Sequence, residues 1–422
     1  MKRFSKIIAL VLAICLLMSS TNALATTNIS MCTTANNDTL VVLQEIIDEF
    51  NAAHEEINVE VTSPSDYENL LKTRMAANSM PDIFGTHGWA TRRYNEYLLD
   101  LQNEPWVAQM KQGIRGIVTD STGKLCTMPI NQDMVGLCYN KNLIEKYGVD
   151  IDSLTTMDAF AEALASIHEQ SNGEVIPMFL PGSISGLIGF LMNIFSAVGI
   201  GGNPNGGAEN LLSLETADQF DWAQIGQIAE LIHQFGENGY FNEDYLTAGF
   251  PDMIEAFANE TCVFTFVGND CVLPAKEINP SLEVGIMPIP AFTMLGETEP
   301  AFLTGEDISF GIWKDSEYVE ECKEVLAWLS QPENVARICN VSGRPSAYEG
   351  VELSDNYWQF YFDKYADTKC VNNFDRSYLP NGIYDAMCDT VAKLLMNMVT
   401  VEEATDMLKT EYTRLMEMSA TK

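Results

Sequence analysis

Residues 77–89 read ANSMPDIFGTHGW and run into the charged stretch TRRYNEY. A Trp between a glycine loop and so many charges is poorly placed for a core, and a His stands two residues before it. Three kinds of chemistry compete here: a metal or catalytic histidine, a platform for a flat apolar ligand face, and loop packing. The metal reading is weak, because no second His or Cys lies close and the chain has 4 His in all. The glycines favour the platform, since without Cβ atoms they let a ligand approach the backbone. Other polar groups recur at comparable places: Thr34, Asn36 and Asn37; Thr86, His87 and Trp89; Asn131, Gln132 and Asp133; Asn269 and Asp270; Glu306 and Asp307. Amides and carboxylates exchange paired hydrogen bonds with hydroxyls, and aromatic rings cover C–H faces. Together they suit a polyhydroxylated ligand. The competing reading of each cluster is a polar loop that bonds its own backbone. Glu306 and Asp307 are adjacent in a strand, so at most one of them faces a shared cleft.

These clusters need elements to hold them at the ends of strands. NISMC, INVEVTS, DIFGT, Met134–Tyr139, VIPMFLPG, Cys262–Val267, EVGIMPIPAF and TGEDISFGIWK read as strands. Between them, TLVVLQEIIDEFNAAH places Leu40, Leu43, Ile46, Ile47 and Phe50 at helical spacing. DYENLLKTRMAAN has Asp66 as a cap, TTMDAFAEALASIHEQ has Thr155 or Thr156, and TVEEATDMLKTEYTRLMEM has Thr400. GLIGFLMNIFSAVG is an apolar helix bounded by glycines. Strands alternating with helices imply a mostly parallel sheet with helices on its faces. No repeat or low-complexity linker divides the chain.

Lys2, Arg3 and Lys6, the apolar run Ile7–Met18 and the small residues Ala23 and Ala25 form a signal peptide, 1–25, cleaved after Ala25. Cys15 offers a lipobox as the alternative, disfavoured by the large Ile14 before it and by the apolar run that continues past it. No later run reaches a membrane-spanning length. At 422 residues the chain exceeds one ordinary core, so two or three domains are expected. A net charge of −35 argues against nucleic acid and anionic lipid as partners. Past residue 25 the cysteines are 32, 126, 138, 262, 271, 322, 339, 370 and 388, an odd number without a CxxC. They read mostly as small buried thiols, and no zinc site is expected.

The segments IIDEFNAAHEEINVEV, DYENLLKTRMAANSMPDIF, LLDL, MPINQDMVGLCYNKNLIEKYGV, TMDAFAEAL, FANETCVFTFVGND, VGIMPIP, GEDISFGIWKDS, GRPS and TVEEATDMLKTEY occur in this order. In this the chain resembles the family 1 extracellular solute-binding proteins of ABC importers, the maltose-binding-protein-like group. The resemblance covers nearly everything past residue 25. It implies an α/β, two-lobe fold of the type II periplasmic-binding-protein kind, each lobe a mostly parallel sheet flanked by helices. Lobe one would hold 26–135 plus 289–344, and lobe two 136–288 plus 345–422. It further implies a monomer without cofactor or metal, which takes a mono- or oligosaccharide into the interlobe cleft and hands it to a permease. Asp133 falls where relatives present an acid or amide to ligand, and Tyr384 approximately where maltose-binding relatives stack an aromatic. Where sugar binders of the family often carry a Trp, this chain has Gly-Asn-Asp (268–270), which counts against a long maltodextrin. Arg344 would sit at a lobe crossing, either as a fork for hydroxyls or a carboxylate, or as a counter-ion for Asp133 or Glu306. Tyr378 and Tyr384 have an ordinary core tyrosine as their competing reading, and Trp358 is open between site and core.

A secreted glycoside hydrolase is the main rival. It needs two carboxylates across one bond, and 59 acidic residues make chance pairs common. A non-sugar solute, such as a polyamine, amino acid or glycerol phosphate, is the rival within the same fold. GIGGNPNGGAEN lacks the strand–helix setting of a phosphate loop, and PGSISG has the wrong order for a serine hydrolase.

Overall fold

The computed structural model describes residues 26–35, 37–86, 94–120, 122–183, 187–266, 269–354 and 357–420, and at residues 68 and 269–271 the backbone alone. The signal peptide expected at 1–25 lies outside them. The strands, in chain order, are β1 Thr27–Cys32, β2 Ile57–Thr62, β3 Ile83–Gly85, β4 Met128–Pro129, β5 Asp133–Val135 and β6 Leu137–Asn140. They continue as β7 Ile176–Met178, β8 Cys262–Thr265, β9 Val284–Met287, β10 Ala301–Gly305, β11 Ser309–Ile312 and β12 Lys369–Val371. Three sheets result: β2-β1-β3-β11-β4, β7-β8-β6-β9, and a smaller β12-β10-β5.

Helical spacing turns into packing where the sequence predicts it. Helix Asn37–Ala53 buries Leu43, Ile46, Ile47 and Phe50 against the first sheet. Each such large apolar side chain contributes roughly 1.5–3 kcal/mol when fully buried. Thr156 caps Met157–Gln170, its Oγ1 accepting from Ala159 N at 3.2 Å. Thr400 opens Val401–Ala420 with a reciprocal pair, Glu403 N to Thr400 Oγ1 at 3.2 Å and Thr400 N to Glu403 Oε2 at 2.8 Å. Asp66 precedes Tyr67–Ala76 without a side-chain cap bond. Its carboxylate instead accepts from Asn69 Nδ2 at 2.8 Å. The apolar helix Leu187–Ser196 lies against Ile383–Leu395, with Gly189 facing Cys388 where a Cβ would collide. Of the cysteines with described side chains, Cys32, Cys126, Cys138, Cys262, Cys322 and Cys339 are buried, and no disulfide joins any two of these, Cys370 and Cys388.

The sheets are mixed, and the expected parallel order holds for only part of each. β1 pairs in parallel with β2 and β3, and β7 with β8. β11 is antiparallel to β3 and β4, and β6 to β8 and β9. β6 and β11 are the strands by which the chain enters each sheet from the small one. They start at the end where the strands of βα units finish, so they run the opposite way.

β5 and β6 are separated by Gly136 alone. A Cβ there would strike the Met287 carbonyl and the Phe302 ring, so glycine is required at this change of sheet. Core membership departs from the boundaries drawn on sequence in two stretches. Phe292, Ala301 and Leu303 pack in the core of the second sheet, Phe292 with its ring 5.3 Å from that of Phe195. Ala347 and Tyr348 pack in the core of the first, where the Tyr348 ring lies 6.5 Å from Trp106. On this packing we propose lobe crossings at 130–137, 301–309 and 348–357. The small sheet lies at the first two.

Candidate functional site

β5 and β10 pair antiparallel with Asp133 opposite Gly305, Met134 opposite Thr304 and Val135 opposite Leu303. This register brings two separate polar clusters of the sequence to one place. They line a cavity of about 260 Å³. The crossing segments contribute Asp133, Val135, Leu303, Thr304, Gly305, Glu306 and Asp307, and the second lobe contributes Phe190, Asn373 and Arg376. Both adjacent acids line the cavity, against the expectation of at most one, because they lie between β10 and β11 and not within a strand. The volume is small beside the roughly 300–1,000 Å³ of enclosed ligand pockets. Two larger hollows, about 720 and 610 Å³, lie between helices of the second lobe and share no lining residue with it. Size favours those grooves. Converging polar groups at strand ends favour the smaller cavity, and in an open α/β fold that criterion carries more weight.

The charges in this cavity are held from behind. Arg344 Nε donates to Asp133 Oδ1 at 2.6 Å and lies 3.4 Å from Asp307 Oδ2. Asn131 Nδ2 donates to Asp307 Oδ2 at 3.2 Å and to Ser342 Oγ at 3.1 Å, while its Oδ1 accepts from Ile308 N at 2.8 Å. Gln132 Nε2 donates to Thr304 Oγ1 at 2.8 Å, and that hydroxyl donates to the Asp133 carbonyl at 2.9 Å. The Arg344 side chain is 15% exposed and does not line the cavity. It sits as the counter-ion of two carboxylates carried by different crossing segments. These two contacts are those of a counter-ion, and they pair Arg344 with Asp307 as well as with the expected Asp133.

Also on the lining, helix Leu187–Ser196 carries Phe190, half-buried, its ring 5.9 Å from that of Phe266. The short helix Phe374–Tyr378 carries Arg376, whose Nε lies 3.7 Å from Asp375 Oδ2. Burial pushes the Asp375 carboxyl above the ordinary aspartate value, and Arg376 beside it works against that shift. An aromatic ring, an amide and a guanidinium thus share the cavity's lining with carboxylates and a hydroxyl. That composition suits hydroxyls and a C–H face.

The remaining sequence candidates either do not line this cavity or lie outside the described residues. Thr34 is exposed beyond β1, and Asn37 opens Asn37–Ala53 at φ 46°. Asn36, His87 and Trp89 lie outside the described residues, and so do the side chains of Asn269 and Asp270, which open helix Asn269–Ile278. Thr86 is buried at the end of β3: its N–H donates to Ser309 O at 3.3 Å and its carbonyl accepts from the Ser309 hydroxyl. Gly85 makes room for the Tyr67 hydroxyl, which donates to its carbonyl. Tyr384 is half-buried against the second core with Asp375 and Arg376 among its charged neighbours. Burial pushes its hydroxyl well up. Tyr378 packs on Phe374, 5.5 Å between centroids, and Trp358 is fully buried. Sequence reading missed Phe190, Asn373 and Arg376. The available signal was a lone Arg in NNFDRSY within a strongly acidic chain.

Residues 45–361 match the model of the bacterial extracellular solute-binding protein family. The melibiose/raffinose/stachyose-binding protein MelE of Bacillus subtilis is 31% identical over 393 residues, 93% of this chain and 90% of that one. A Bacillus subtilis binding protein solved in an open conformation superposes with a TM-score of 0.87 at 30% identity, covering 94% of this chain and 99% of that one. A Bacillus licheniformis sugar transporter protein in complex with stachyose gives 0.78 at 34% identity, covering 92% and 100%. No helix among the described residues is long and apolar enough to cross a membrane. The chain belongs to the family of bacterial extracellular solute-binding proteins.

Proposed function

We propose that this protein is the sugar-capturing component of an ABC importer, and that its ligand is an oligosaccharide of the melibiose, raffinose and stachyose kind. The observation that carries the reading is the cavity that Asp133, Thr304 and Asp307 of the crossing segments line together with Phe190, Asn373 and Arg376 of the second lobe. The names of the two Bacillus sugar-binding relatives support the choice of ligand. Hinge closure brings the walls together around the sugar. Asp133 and Asp307 already share Arg344, which favours binding over hydrolysis, because a glycosidase pair must be free to exchange protons. The chain is exported by its first 25 residues, acts as a monomer without cofactor or metal, and passes sugar to a membrane permease.

Thermal unfolding tests this. A ligand at about 100 times its Kd stabilises by about 2.7 kcal/mol. Raffinose and stachyose should raise the midpoint, and polyamines, amino acids and glycerol phosphate should leave it unmoved. Cleavage of the oligosaccharides during incubation would overturn the non-enzymatic reading.

A further inference from the structure

The helix Leu187–Ser196 reads LIGFLMNIFS, and within this apolar run Asn193 is 1% exposed. A buried primary amide is costly unless hydrogen-bonded. Both ends of this one bond the same distant segment: Asp375 N donates to Asn193 Oδ1 at 2.9 Å, and Asn193 Nδ2 donates to Asn373 Oδ1 at 2.8 Å. The amide's orientation is fixed by chemistry, since only its oxygen can accept from the Asp375 N–H. The same logic passes to Asn373. With its oxygen turned to Asn193, its nitrogen is the donor left for the cavity it lines. The Asp375 bond anchors the first turn of Phe374–Tyr378, the turn that carries Arg376. Phe190 stands three residues before Asn193, on the same helix face.

We infer that Asn193 is a positioning residue for the second lobe's ligand wall, holding Asn373 and Arg376 in register with Phe190 on its own helix. One helix face then sets all three groups, Phe190 directly and the other two through a single buried amide. This rests on the sugar-cleft reading above. A purely structural role would make Asn193 one more buried polar group, whose loss lowers stability and leaves affinity alone.

The test is calorimetric titration of raffinose into the wild-type protein, Asn193→Leu, Arg376→Ala and the double variant, with thermal midpoints recorded in parallel. Leu keeps the helix apolar and removes both bonds. Asn193→Leu should weaken binding by about tenfold or more, about 1.4 kcal/mol. In the Arg376→Ala background the same change should cost at least about threefold less than it does alone, because one of the two residues it positions is gone and only Asn373 remains. Affinity within about twofold of wild type, with a lowered midpoint, overturns the inference, and so does full additivity of the two changes. If Asn193→Leu does not fold, Asn193→Ala adds no bulk and is read the same way. Should the wild-type protein bind no sugar, the cleft reading itself fails, a result distinct from an unaltered Asn193 variant.

Discussion

Replacing Arg344 by Met keeps most of the side-chain stem and removes the guanidinium shared by Asp133 and Asp307. A charge-assisted hydrogen bond such as the 2.6 Å contact to Asp133 contributes about 1.5–3 kcal/mol. Breaking a fully buried pair costs about 3–5 kcal/mol. Here the Asp133 and Asp307 side chains keep 31% and 29% exposure, so water takes over part of the solvation and the lower range applies. Arg344→Met should therefore lose about 2 kcal/mol in urea unfolding, seen as a lower midpoint at unchanged slope. Asp133→Asn in the same background should cost far less than it does alone, with a coupling of about 1 kcal/mol or more. Added salt should narrow the gap between wild type and variant, since the pair is partly in water. Sugar affinity should change only modestly, because Arg344 does not line the cavity. A loss under about 0.5 kcal/mol, or strict additivity with Asp133→Asn, would refute the reasoning. Unchanged stability with a tenfold drop in affinity would make Arg344 a fork for ligand instead.

Three further outcomes follow from the geometry. Gly305 lines the cavity and no described atom lies within 4 Å of a Cβ built there, so Gly305→Leu should push into the cavity and cut raffinose affinity at least about tenfold, read by calorimetry. Tyr348 is 4% exposed and its hydroxyl has no hydrogen-bonding partner among the described residues, so Tyr348→Phe should leave stability unchanged or raise it by about 1 kcal/mol. Asp375 is an acid whose folded-state value is raised, so protonation favours the fold and that contribution is lost as pH rises from the ordinary aspartate range through the folded value. Asp375→Asn should consequently be more stable than wild type at pH about 7 and equal to it at pH about 3, by unfolding midpoints at the two values.

Much of this fold was legible because its signals are local. The spacing of Leu43, Ile46, Ile47 and Phe50, and the Thr400–Glu403 capping pair, need only a few consecutive residues to act. Asp133 and Asp307 were legible as strand-end acids, since a polar residue just outside an apolar run has few structural uses. What the sequence hid depends on pairing across long separations. The antiparallel entry of β6 and β11 follows from lobe crossings, and Tyr348 joins the first core through Trp106, more than 200 positions earlier. Phe190 was masked by its neighbours, because in an apolar run no periodicity marks the one ring that borders a cavity. Asn373 and Arg376 sit on a short helix whose place is set by Asn193, about 180 residues away in sequence. Thr86 had the composition of a ligand loop, and its backbone is held by Ser309, a residue more than 200 positions later.

Calorimetric titration of the mature protein with raffinose, stachyose and maltotriose, repeated on Phe190→Ala and Arg376→Ala, bears on the whole reading at once. The account predicts saturable binding of raffinose and stachyose without turnover, weaker or absent binding of maltotriose, and a loss of at least about tenfold in each variant. Raffinose binding that survives both substitutions unchanged, or no heat with any of the three sugars, would contradict it.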